Sequence, residues 1–247
     1  MLHDYRGFSN SNELISQLSI HKLAHDCVEL IDHIEIEGDI HIMGLSLGSM
    51  VGLGLLTNFK DKISSFTSYG FVCPTKTMLI HVISIFQQIE SYFNKISRNI
   101  SKARISPQNI EELAKPLWDV FVIDHSKAPK KLKKKGYTPS YGHYILKYTR
   151  NTPFSSLCKL FNMFSMDKLD NYLDYSRYIP SLEKNIKIMQ GKDDLITPFC
   201  EVEKYCKKIP QITFSPIIGS GHTDIMRDSS LCNRIAYLLL ENIEVNI

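Results

Sequence analysis

Ile40-His41-Ile42-Met43-Gly44-Leu45-Ser46-Leu47-Gly48-Ser49-Met50-Val51-Gly52-Leu53-Gly54-Leu55-Leu56 is the stretch whose reading decides the fold. Ile40–Met43 reads as a short buried strand ended by Gly44, and Met50 to Leu56 returns to a helix. Between them Gly44-Leu45-Ser46-Leu47-Gly48 has the pattern G-x-S-x-G. A serine on a sharp turn that leaves a strand and enters a helix presents its hydroxyl outward, and flanking glycines let that turn close without Cβ clashes. Ser46 is therefore the candidate nucleophile.

A serine hydroxyl attacks poorly unless a base takes its proton, and the base needs an acid to hold its tautomer. On a parallel sheet of this kind the three follow in the order serine, acid, histidine, each just after a strand. Ile186–Met189 has strand character and is followed by Gly191-Lys192-Asp193-Asp194-Leu195-Ile196-Thr197-Pro198. A last strand, Ile212 to Ile218, runs into Gly219-Ser220-Gly221-His222. Of the nine histidines, His222 alone sits on a glycine-rich turn after a late strand. Asp193 and Asp194 compete for the acid, and the G-x-x-D spacing favours Asp194.

The remaining elements fit the same plan. Leu23, Ala24, Cys27, Val28, Leu30 and Ile31 form one stripe of a helix over 20–34. Residues 63–72 have strand character and stop at Cys73-Pro74. The stretch 74–182 is mainly helical in pattern, with Met78, Leu79, Val82, Ile83, Phe86 and Ile89 on one face, and Ser106-Pro107 is a good helix start. A final helix is predicted over 229–242. Strands alternating with helices imply a parallel α/β sheet. The stretch 74–182 is too long for a crossover, so a separate helical lid is predicted there, with 1–73 and 183–247 as the core.

These features together resemble the α/β-hydrolase superfamily, in its branch of lidded esterases, lactonases and C–C hydrolases. The elbow, the acid loop and the histidine loop carry the resemblance, with Asp4-Tyr5-Arg6-Gly7-Phe8-Ser9-Asn10-Ser11 set against the family's D-x-R-G-x-G-x-S loop. Two positions depart from the pattern: Ser9 replaces a glycine of the first loop, and Ser49 replaces the second glycine after the nucleophile. The resemblance implies cleavage of a carboxylic ester, thioester or lactone through an acyl-enzyme. Ser46 would attack, His222 would move the proton, Asp194 would orient His222, and the backbone N–H of Leu47 would form the oxyanion hole. No metal or organic cofactor is implied. A serine nucleophile disfavours the epoxide hydrolase and haloalkane dehalogenase branches. A peptidase or a C–C hydrolase on the same triad is the alternative chemistry.

In that family the D-x-R-G loop follows the fourth strand, so the resemblance implies a chain lacking its first strands and the His-Gly loop that donates a second oxyanion amide. Such a deficit would be roughly 50 residues at ordinary element lengths. A late start codon and a shortened reading frame both fit. Losing one oxyanion donor costs on the order of 10² to 10³ in rate, so an impaired or inactive homologue is the other expectation for the chain as written.

Composition narrows the partners. The chain has 247 residues, 43% of them hydrophobic, with 29 basic and 26 acidic side chains and a net charge of +3. Few of the basic residues are arginine, and neither the charge nor its make-up suits a nucleic-acid binder. The six cysteines show no C-x-x-C pair and are read as free thiols of a reducing compartment. No secretory leader or stretch of membrane-spanning length is evident. The expectation is a cytoplasmic protein acting on a small ester-like molecule, without stable membrane insertion. Lys127, Lys130, Lys131, Lys133, Lys134 and Lys135 cluster in the lid. They read as a solvated loop rather than a docking patch for a CoA-like anion or a membrane surface. Trp118, Phe121 and the 161–164 segment are read as packing the lid on itself.

Overall fold

The computed structural model describes residues 4–7, 11, 18–100, 162–222 and 229–244. Ser9, the helix start at 106–107, Trp118, Phe121, Phe161 and the lysine cluster lie outside the described residues.

Four strands, β1 (His41–Leu45), β2 (Ser65–Tyr69), β3 (Asn185–Gly191) and β4 (Ile212–Ile217), pair in parallel. Their order across the sheet is β1-β2-β3-β4, so the predicted parallel α/β arrangement is present. Leu45 pairs with Tyr69, Tyr69 with Met189, and Gly191 with Ile217. The C-terminal ends of the four strands therefore lie side by side along one edge of the sheet.

Each helix forms for a readable reason. Helix α1 (Ile20–His33) starts at Ser19, whose hydroxyl accepts from Lys22 N at 3.1 Å, and buries Ile20, Leu23, Ala24, Cys27, Val28 and Ile31. That cap satisfies one of the N–H groups every helix start leaves open. Helix α2 (Leu47–Asn58) is buried almost all round, from Ser49 through Leu56, the mark of a helix enclosed on several sides. Gly52 lets it lie flush on Phe66 of β2, and Gly54 faces Ala24 and Ile20 of α1. Helix α3 (Lys76–Ile100) begins behind Thr75, whose Oγ1 accepts from Met78 N at 3.2 Å. Helices α4 (Met166–Tyr178), α5 (Phe199–Cys206) and α6 (Ser229–Glu244) complete the described elements. Tyr69, Met189, Ile217 and Ile235 form a buried cluster joining three strands to α6.

Two strands run beyond their expected ends at Met43 and Met189. β1 continues through Gly44 to Leu45, and β3 continues to Gly191, because the neighbouring strand supplies a ladder partner at each position. Glycine weakens a strand locally, but a paired neighbour on each rung outweighs that preference.

The chain divides into two compact units, Met1–Leu18 with Ile83–Ser165, and Ser19–Val82 with Met166–Ile247. In the first, Met163 and Phe164 are buried, and the Phe164 ring stacks on Phe86 with centroids 4.1 Å apart. The second holds all four strands and every residue singled out for chemistry.

Candidate active site

The four strand ends carry, in order, Ser46, Gly70, the acid loop and the histidine loop. Ligand sites of open parallel sheets form at this end of the strands.

Ser46 stands between β1 and α2 with φ 52° and ψ −110°. A left-handed conformation costs a residue with a side chain on the order of 1–3 kcal/mol, and such strain gathers at functional sites. The surroundings hold the turn in place. Ser46 N donates to Tyr69 O at 3.1 Å, and Ser46 O accepts from Ser49 N at 2.8 Å and Met50 N at 3.3 Å. The first glycine of the motif is required by space: a Cβ on Gly44 would lie 2.1 Å from Gly48 O. The Ser46 hydroxyl makes no capping bond to α2. Because α2 begins at Leu47, helix geometry leaves the Leu47 N–H without a carbonyl in its own helix, as an oxyanion donor requires.

Ser49 is accommodated where the family pattern has glycine. Its hydroxyl donates to Ser46 O at 2.5 Å and accepts from Val72 N at 3.2 Å. It thus stitches the elbow to the segment after β2 instead of disturbing it.

Asp194, not Asp193, reaches the histidine. His222 Nδ1 lies 2.8 Å from Asp194 Oδ2, and both residues are about 97% removed from solvent or more, at 2% and 3% exposure. Oδ2 also accepts from Thr197 Oγ1 at 2.8 Å and Gln190 Nε2 at 2.9 Å. Oδ1 accepts from the N–H groups of Ile196 and Thr197, each at 2.9 Å. Burial on its own would raise the Asp194 carboxyl, but the facing His222, its hydrogen bond and the bonds from Thr197 hold it below the usual carboxylate range. A carboxylate can only accept, so the proton of a neutral His222 belongs on Nδ1, which leaves Nε2 as the basic nitrogen. Asp193 instead donates its backbone N–H to Ser220 O at 3.0 Å, tying the acid loop to the histidine loop.

Several residues of the site carried no signal in the chain order. Gly70 has φ +61°, and a Cβ there would sit 2.9 Å from His222 Cε1, so glycine is what lets the imidazole lie over the end of β2. Gln190, fully buried, bonds the acid and Thr197 through Nε2 and accepts from Phe71 N through Oε1 at 3.1 Å. Tyr69 reaches Ser220 and Gly221, more than 150 positions away in sequence. Thr197 stands inside the quoted loop: the Ile196 N–H, two residues after Asp194, closes an Asx-type turn on Oδ1, and the Thr197 hydroxyl donates to Oδ2.

A shallow cavity of about 550 Å³ lined by Asp39, Ser64, Asn185, Gln211 and Thr213 lies at the opposite ends of the strands and borders none of these residues. Among the described residues, His25, Asp26 and Glu29 of α1 have ligand atoms within 4.8 Å of one another. His25 already pairs with Glu29 at 3.3 Å and Asp26 with Lys22 at 3.7 Å, as on an ordinary solvated helix face. Among the described residues no helix is long and apolar enough to cross a membrane.

No family model and no curated protein matches the chain. Solved structures do. A thermophilic esterase from Thermogutta terrifontis superposes with a TM-score of 0.65 at 18% identity, over 98% of this chain and 78% of the esterase. A bromoperoxidase from Bacillus anthracis gives 0.67 at 16% identity, over 96% of this chain and 80% of its own. A meta-cleavage product hydrolase from Pseudomonas fluorescens gives 0.62 at 16% identity, over 96% and 78%. The chain has the α/β-hydrolase fold. At these identities the likeness concerns the α/β-hydrolase architecture, and the three neighbours differ in the chemistry their names state.

Proposed function

We propose that the chain is a serine hydrolase that cleaves a carboxylic ester, thioester or lactone. In this reading Ser46 Oγ attacks the carbonyl carbon while His222 Nε2 takes its proton. The tetrahedral oxyanion is held by the Leu47 N–H. His222 then returns the proton to the departing alcohol or thiol, which leaves Ser46 acylated. Water attacks the acyl group with the same help from His222 and restores the serine. Asp194 keeps Nδ1 protonated and stabilises the imidazolium that forms at each step. The stretch 74–182 is proposed to form a helical lid that selects the acyl or alcohol group.

One observation carries the reading: a buried, hydrogen-bonded Asp194–His222 pair lies at the same end of the sheet as a serine held at positive φ between a strand and a helix. The experiment is a panel of p-nitrophenyl esters of increasing acyl length set beside aminoacyl anilides. Ester hydrolysis that Ser46→Ala lowers by about 10³-fold or more supports the proposal. Anilide cleavage without ester cleavage would transfer it to a peptidase. No Ser46-dependent hydrolysis of either would favour a homologue that keeps the residues without turnover.

A further inference from the structure

Tyr69 has no place in the catalytic cycle just described, yet it holds both ends of it. It is the last residue of β2, fully buried, with its ring among Met189, Ile217 and Ile235. Its main-chain carbonyl accepts the Ser46 N–H at 3.1 Å, on the strained residue itself. Its phenolic oxygen reaches the other side, 2.6 Å from Gly221 O and 2.5 Å from Ser220 Oγ.

The proton count fixes the direction of these bonds. A carbonyl only accepts, so the single phenolic proton goes to Gly221 O. Ser220 must then donate its hydroxyl proton to the phenolic oxygen. The chain runs from the Ser220 O–H to the Tyr69 oxygen, and from the Tyr69 O–H to the Gly221 carbonyl. The next peptide unit begins His222. The Gly221–His222 peptide plane is therefore clamped by a side chain whose own backbone clamps the nucleophile. Two glycines flank Ser220 and leave the loop little stiffness of its own, since glycine permits a wide range of backbone angles. Without the phenol the imidazole would still bond Asp194, but the distance from Nε2 to Ser46 would be set by a softer loop.

We propose that Tyr69 is the positioning residue that sets the base against the nucleophile, through its phenol on the histidine side and its carbonyl on the serine side. The inference rests on the reading of Ser46 and His222 as nucleophile and base. It assigns no chemistry to the phenol, which touches neither substrate nor the transferred proton.

Tyr69→Phe keeps the buried ring and deletes only the oxygen. Two readouts are taken on it. One is the rate of covalent labelling by an alkyl fluorophosphonate. The other is solvent exchange of the His222 Nδ1 proton, followed by proton NMR on ¹⁵N-histidine-labelled chain and assigned by its absence in His222→Gln. Displacements of about 1 Å at a reacting pair cost up to about 10²-fold. The expected result is labelling slowed by about 10- to 100-fold, the same final stoichiometry, and faster exchange of the imidazole proton, with the far-ultraviolet circular dichroism unchanged. Ser220→Ala leaves the Tyr69–Gly221 bond and should slow labelling by about 2- to 5-fold, and it carries the test if Tyr69→Phe does not fold. Labelling and exchange that match the wild type in the folded variants would overturn the proposal. A wild type that is not labelled, with exchange still accelerated in Tyr69→Phe, would overturn the hydrolase reading and leave the clamp in place. Loss of stability alone, with both readouts unchanged, would make Tyr69 a core residue and nothing more.

Discussion

Asp194 gathers five hydrogen bonds on two oxygens, from His222, Gln190, the Thr197 hydroxyl and two backbone N–H groups. Burial opposes its charge, and these partners together outweigh burial, so the folded carboxyl titrates below its ordinary value of about 3.9. A carboxyl with a depressed folded value stabilises the fold fully above its unfolded value, and that stabilisation disappears as the pH falls through the folded one. Asp194→Asn should therefore unfold at lower urea than the wild type at pH 5 and above. The margin should shrink below about pH 4, read from urea midpoints at each pH. A margin that grows on acidification would contradict the assignment. In the same variant, ester turnover should fall on the order of 10⁴-fold, because an amide in place of the carboxylate favours the wrong imidazole tautomer.

The strongest constraint at the level of elements is the seating of α2, which begins directly after Ser46, the proposed nucleophile. It lies on β2 through Gly52, where an added Cβ would come within 2.4 Å of the Phe66 ring. Phe66 is fully buried in the sheet, so the ring cannot swing away. Alanine favours a helix over glycine by about 1 kcal/mol, whereas overpacking a filled core costs about 1–3 kcal/mol. The clash wins. Gly52→Ala should lower Tm by several degrees in calorimetry; an unchanged or raised Tm would show that α2 is seated more loosely than described.

The same element shows what sequence could reveal. Helix α2, β1 and the turn at Ser46 were legible because strand, turn and helix are consecutive, and each is specified by its own residues. Asp194 and His222 were legible because each follows a strand on a short loop. The ends of β1 and β3 were misplaced because the ladder partners that extend them lie on other segments. Tyr69, Gly70 and Gln190 gave no signal for the same reason. Their roles exist only against partners that the fold brings in from elsewhere, up to 152 positions away.

Across the whole molecule the thiols report how the second unit is built. Cys27, Cys73 and Cys206 are buried, while Cys200 is exposed. Burial pushes Cys27 up to about 11 and Cys206 up to about 12, and it raises Cys73 well above an ordinary thiol. The thiolate is the reactive form, so burial and a raised thiol together suppress alkylation. Brief treatment with iodoacetamide at pH 7.5, followed by peptide mapping, should modify Cys200 and spare Cys27, Cys73 and Cys206 until the chain is unfolded. Prompt modification of Cys206 in the native chain would mean that this end of α5 is not buried.

The claim on which the rest depends is that Ser46 is the nucleophile of a working serine–histidine–aspartate arrangement. Its most direct measurement is mass spectrometry of the native chain after exposure to a fluorophosphonate. The expected result is one adduct per chain, on the peptide that contains Ser46, lost in Ser46→Ala. A folded wild type that takes up no probe, or an adduct that persists in Ser46→Ala, would contradict it.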